Sequence, residues 1–129
     1  MALGFATPLR NARADAITTF AGSAAKFQIY DGTRPATGAA ITTQVKLVEF
    51  TLGTPFASAA SNGVLTFNLP ANATGLAAGT ASWARIVKSD GTTFVMDLSH
   101  GADFTLNTTT VSVGLTVQIT SAAITEGNA

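Results

Sequence analysis

The sequence predicts a mainly β protein: an antiparallel β-sandwich, jelly-roll or immunoglobulin-like, with one short N-terminal helix. Three observations carry that prediction. Short runs of alternating apolar and polar residues, rich in Val, Ile, Thr and Phe, recur at the spacing of a sandwich or barrel. Asp-Gly or Asn-Gly pairs punctuate them at Asp31, Asn62 and Asp90, where tight turns need left-handed residues. Only one stretch, near the N-terminus, has a helical period. The 129 residues form a single domain, large enough to bury one core without the disulfides that a Cys-free chain lacks.

The helix is expected over about residues 8–21. Thr7 can cap it, Pro8 suits its first turn, and Gly22 accepts the left-handed stop. Leu9, Ala12, Ala16, Ile17 and Phe20 share one face, which must dock on the sheet or grip a neighbouring subunit, because so short a helix is marginal alone.

The β-region opens at Lys26 to Tyr30, with Phe27 and Ile29 facing one way and Lys26, Gln28 and Tyr30 the other. Asp31-Gly32 ends it, and a polar loop follows to Gly38. From Val45 to Phe50 apolar residues fall on both parities, so both faces of that strand are covered. Val64 to Leu69 points Leu65, Phe67 and Leu69 inward until Pro70 stops it, and the Ala/Gly/Asn-rich loop to Gly79 is expected to be exposed.

The central hairpin, Ala81 to Leu98, turns at Ser89-Asp90-Gly91 and holds the one Trp. Its second strand puts Phe94, Met96 and Leu98 on one face, with Thr93, Val95 and Asp97 on the other. Short strands follow at Phe104 to Leu106 and Val111 to Val113, then Leu115, Val117 and Ile119 alternate. Ile124 is out of phase with that series, which predicts a bulge near Ser121 to Ala123. The expected core is Phe27, Ile29, Leu47, Leu65, Phe67, Trp83, Phe94, Met96, Val117 and Ile119.

Composition points toward assembly. Only 11% of residues are charged, against about 25% in an average domain, and seven basic residues balance seven acidic ones. Low-charge surfaces near zero net charge associate, so neighbouring subunits are expected to cover much of this one. The scattered charges leave no footprint for nucleic acid. No apolar run is long enough to span a membrane, and no basic region precedes an apolar one as in a signal peptide.

Chemistry is sparse. His100 is the one His, with Asp97 and Asp103 three residues to either side. Such a trio is a common loop composition, and nothing assures the geometry that acid–base work or metal binding requires. Asp31 and Asp90 belong to turns rather than to a Ca²⁺ ligand series. Asn72 and Asn107 open short glycosylation sequons. Trp83 and Tyr30 suit a sugar-binding platform, but core or interface is the better assignment for Trp83. No enzyme activity, catalytic residue, cofactor or metal is expected.

Asn11 to Ile17, Ile29 to Pro35, Ala60 to Leu65, Val87 to Gly91 and the ending Ile124 to Ala129 together resemble small structural proteins from the virion gene clusters of tailed bacteriophages. The resemblance implies a virion component, made in the host bacterial cytoplasm and bound outside the capsid as a decoration (cement) protein. Its implied partners are the major capsid protein and itself, as a homotrimer. Expected contact residues are Leu3 and Phe5 near the N-terminus, Arg10 and Arg13 on the helix, and Tyr30 and Arg34. The alternative is a tail-associated or carbohydrate-binding adhesive sandwich.

Overall fold

The computed structural model describes residues 4–125. Helix α1 (Thr7–Ala21) precedes β1 (Lys26–Tyr30), β2 (Lys46–Thr51), β3 (Val64–Thr66), β4 (Ala73–Thr74), β5 (Gly79–Thr80), β6 (Trp83–Val87), β7 (Phe94–Ser99), β8 (Phe104–Leu106), β9 (Thr110–Val111), β10 (Thr116–Val117) and β11 (Ile119–Thr125). All strand pairings are antiparallel. One sheet runs β2-β1-β6-β7 and the other β3-β11-β8, with two-strand ribbons β10-β4 and β5-β9 beside them. The arrangement is the predicted mainly β, sandwich-like one, and no barrel closes among the described residues.

Phe27 ties the layers together. From β1 it meets Phe50 of its own sheet at 6.3 Å, and Phe67 and Phe104 from the other side at 6.2 and 5.2 Å, all edge-on. Edge-to-face packing aims a positive ring edge at a negative face, so each pair adds to plain burial. Ile29, Leu47, Leu65, Val117 and Ile119 are buried around this centre as expected, whereas Trp83, buried as well, lies outside this cluster and stacks on Tyr30 across the sheet. Val48, Phe50, Leu52, Phe56, Ile86 and Phe104 belong to the same core.

Bulges decide which side chains face outward. Ile29 pairs with Val48 and Tyr30 with Lys46, which leaves Leu47 as the extra residue of β2. Lys46 and Glu49 therefore share the outer face although three residues apart, and they form an ion pair at 3.2 Å. In β7, Met96 pairs with Ile86 and Phe94 with Val87, so Val95 is extra. This corrects the expectation that Phe94 and Met96 share a core face. Phe94 turns to the outer face and is half-buried, while Met96 packs against the core without being fully enclosed.

The expected parity switch near Ile124 is present, one residue early. Ile119 pairs with Leu106 and Ser121 with Thr105, leaving Thr120 extra. Beyond it Ile124 pairs with Leu65 and packs on the core.

Three other expectations are corrected. Leu69 lies beyond the end of β3 and is 48% exposed. The strand expected at Val111 to Val113 stops at Val111, and Val113 is exposed. The segment after Pro70 is not simply exposed: Gly75 is buried against the backbone of Ser112.

The helix also docks differently. Thr7 is its first residue and caps nothing; Ala6 occupies the cap position without a side-chain bond. At the other end Gly22 stops the helix with φ 73°, its N–H donating to the Thr18 carbonyl. The buried face centres on Ala14 and Ala21, whereas Leu9 and Phe20 point outward at 47% and 54% exposure. Polar groups explain the choice. The amides of Ala60 and Gly63 need acceptors, and Asp15 Oδ1 and Asn11 Oδ1 supply them at 2.7 and 2.8 Å. Ala14 lets the helix approach closely enough for both bonds.

Candidate functional site

Two polar regions stand out, one on each sheet. On the outer face of the four-stranded sheet, Tyr30 stacks on Trp83 with centroids 4.8 Å apart and planes 17° from parallel. Beside them Arg85 Nε donates to Asp97 Oδ1, and its Cζ lies 5.4 Å from the Trp83 ring and 5.2 Å from the Phe94 ring. A hydrogen-bond chain runs alongside. Tyr30 Oη donates to Gln28 Oε1 (3.1 Å), Gln28 Nε2 donates to Glu49 Oε2 (2.8 Å), and Lys46 Nζ donates to that same oxygen (3.2 Å).

The loop between β1 and β2 closes over part of this face. Gly38 N–H donates to Asp97 Oδ2 at 3.2 Å, and the backbone of Gly38 approaches the Phe94 ring. Trp83 Nε1 donates to the Asp31 carbonyl at 3.1 Å. Burial raises the Tyr30 hydroxyl pKa, opposed by Arg85 and reinforced by the carboxylates of Glu49 and Asp97. For Glu49 burial also acts upward, but hydrogen bonds from Gln28 and Lys46 and the charges of Lys46 and Lys26 outweigh it, so its pKa is lowered. Each of these polar groups is already answered by another, which makes the face a structural network.

The second region is a groove of about 390 Å³ along β3-β11-β8. Thr66, Thr105, Thr120, Ser121 and Thr125 bring hydroxyls to it, Leu69 and Ala123 bring apolar surface, and Gly101 to Asp103 also line it. The Thr120 bulge creates its most ordered feature. Successive strand residues normally face opposite ways, yet Thr105 Oγ1 lies 2.7 Å from Thr120 Oγ1 and 2.6 Å from Ser121 Oγ.

His100 does not gather Asp97 and Asp103 around it. Its ring packs edge-on against Phe104 at 5.3 Å, and its Nε2 is buried without a partner among the described residues. Asp97 faces Arg85, and Asp103 Oδ2 accepts the Ser99 N–H at 2.8 Å. Among the described residues no group of three or more His, Asp or Glu is arranged to hold a metal.

The expected contact residues are dispersed. Leu3 lies outside the described residues. Phe5 is half-buried under Arg13, whose Cζ sits 4.7 Å from the ring centroid. Arg10 lays its guanidinium against Gly63, and Arg34 is exposed in the loop after β1. Tyr30 is 7% exposed, so neither it nor Trp83 offers an open platform for a sugar. Sequence reasoning missed the Thr105–Thr120–Ser121 cluster, although the phase slip at Ile124 was the signal for the bulge that assembles it.

No family model, curated protein or solved structure matches the chain.

Proposed function

We propose that this protein is a structural subunit of a tailed-bacteriophage virion, a decoration protein that sits outside the capsid as a homotrimer on the major capsid protein. One observation carries the reading. Every carboxylate among the described residues is engaged inside the chain. Asp15 accepts from Ala60 N, Asp31 from Val45 N, Asp103 from Ser99 N, and Asp90 from Thr92 N and Thr93 N. Glu49 is held by Lys46 and Gln28, and Asp97 by Arg85.

The acids thus serve the fold, and the remaining surface is made largely of hydroxyls, amides and small apolar groups, with a few basic side chains such as Arg34 and isolated large apolar ones such as Leu9, Phe20, Leu76 and Val113. A surface of that kind suits close contact with neighbours more than a charged free monomer does. The motif resemblance to phage virion proteins points the same way. Closed symmetry is the usual form for such a subunit, and three-fold axes of a capsid lattice favour the trimer. Phe5, Arg10 and Arg13 lie at the helical end proposed to meet the lattice.

The test is imaging and protein analysis of purified virions, alongside light scattering of the isolated protein. A trimer on the capsid exterior is expected, with at least about 1,000 Å² buried at each stable contact. A stable monomer absent from virions overturns the reading.

A further inference from the structure

We propose that the groove along β3-β11-β8 binds a neutral saccharide. At about 390 Å³ the groove has the volume of a small-ligand site, for which the usual range is roughly 300–1,000 Å³. Among the described residues its lining includes no Lys, Arg or His, and its one charged group is the Asp103 carboxylate. An anion would find no cation there and one like charge, and that carboxylate already accepts the Ser99 N–H, so what the groove offers is hydroxyl and apolar surface suited to a neutral ligand.

The Thr105, Thr120 and Ser121 hydroxyls specify the chemistry further. Each carries one proton, so the cluster holds three, and its two internal contacts consume two. One O–H is left to donate outward, and oxygen lone pairs are left to accept. A sugar hydroxyl, itself donor and acceptor, matches that surface in either direction. Leu69, 48% exposed, and Ala123 give the C–H face of a sugar ring something apolar to lie on. The bulge fixes the cluster in place, because it is the extra residue at Thr120 that turns two successive hydroxyls toward Thr105. The site is separate from the apolar positions Leu9 and Phe20 of the helix, and its readout does not involve particle attachment.

The experiment is amide NMR of the full ¹⁵N-labelled chain titrated with maltose, lactose and cellobiose, with glucuronic acid as the anionic comparison. At least one neutral disaccharide is expected to shift the amides of Gly101, Ala102, Thr105, Thr120 and Ser121, with a Kd of roughly 1 mM. Glucuronic acid is expected to bind about tenfold more weakly, and Asp103→Asn to narrow that gap. Thr105→Val, which keeps the shape and removes the bridging hydroxyl, is expected to weaken binding about tenfold while the remaining spectrum stays unchanged. Ser121→Ala serves the same purpose if the Val variant does not fold. The proposal is overturned by no shift with any disaccharide, by shifts lying outside the groove, by glucuronic acid binding equally well, or by undiminished binding in the folded variants.

Discussion

Arg85 and Asp97 form a bidentate pair on the outer face of the sheet, Nε to Oδ1 at 2.8 Å and Nη2 to Oδ2 at 3.2 Å. Their side chains keep only 9% and 1% of their exposure. Removing one partner strands a desolvated charge, whereas removing both does not. Asp97→Ala is expected to cost about 3–5 kcal/mol in urea unfolding. The double change Arg85→Met with Asp97→Leu should recover most of that loss, and a double variant as unstable as the single one would refute the account.

Phe27 and Phe94 separate the core from the outer face. Phe27→Ala removes three edge-on ring contacts, two of which join the two layers, so a loss of about 3–5 kcal/mol is expected. Phe94→Ala removes a half-buried ring and its contact with Arg85, and should cost about 1–2 kcal/mol. Equal losses from the two changes in denaturant melts would contradict the Val95 bulge.

Acid should act through the Asp90 turn. Asp90 accepts hydrogen bonds from the Thr93 hydroxyl and from the amides of Thr93 and Thr92, which lower its pKa from 3.8 to about 2. A carboxylate whose pKa is lowered by folding contributes stability that is complete above its unfolded value and drains away as pH falls through the folded one. Its contribution is therefore present above pH 3.8 and lost on descending to about 2. Asp90→Asn should give a shallower fall in unfolding free energy across that window, with Glu49 still supplying part of the slope. An unchanged slope would remove Asp90 from the acid response.

Gly75 tests the tight packing of the ribbons. A Cβ there would stand 2.1 Å from the Ser112 carbonyl oxygen and 2.9 Å from Val111 Cγ1, and the Gly75 amide is itself bonded to the Leu115 carbonyl at 2.7 Å. The backbone cannot yield at either end, so Gly75→Ala should cost about 1–3 kcal/mol and lower the melting temperature. An unchanged melting temperature would show that the ribbons open without penalty.

Much of the sandwich was legible because alternation is local. Phe27 and Ile29 against Gln28 and Tyr30 needed only the period of two, and the turns at Asn62 and Asp90 needed only their dipeptides. At Asp31-Gly32 the chain bends, with Gly32 at φ 70°, into a long loop rather than a tight turn. The bulges at Leu47 and Val95 were hidden, since an extra apolar residue inside an apolar strand looks like any other. That concealment put Phe94 on the wrong face. The helix face was hidden for a different reason. Its partners are backbone amides at Ala60 and Gly63, about fifty residues away, and a hydrophobic period cannot register a demand for acceptors. The groove cluster was half legible, visible as a phase slip at Ile124 but not as three converging hydroxyls.

The bond from the Gly63 amide to Asn11 Oδ1, 2.8 Å long, bears on chemical ageing. Asn62-Gly63 is the one Asn-Gly step in the chain, and its spontaneous decay begins when the Gly63 nitrogen attacks the Asn62 side-chain carbonyl carbon and expels ammonia. That nitrogen is occupied as a donor, in a turn held at φ 52° and 75°. The docked helix thereby guards the covalent lifetime of a turn fifty residues downstream. Asn11→Ala should let deamidation at Asn62 accumulate during prolonged storage, read by peptide mass analysis against the parent protein, and equal rates in the two would show that the turn resists unaided.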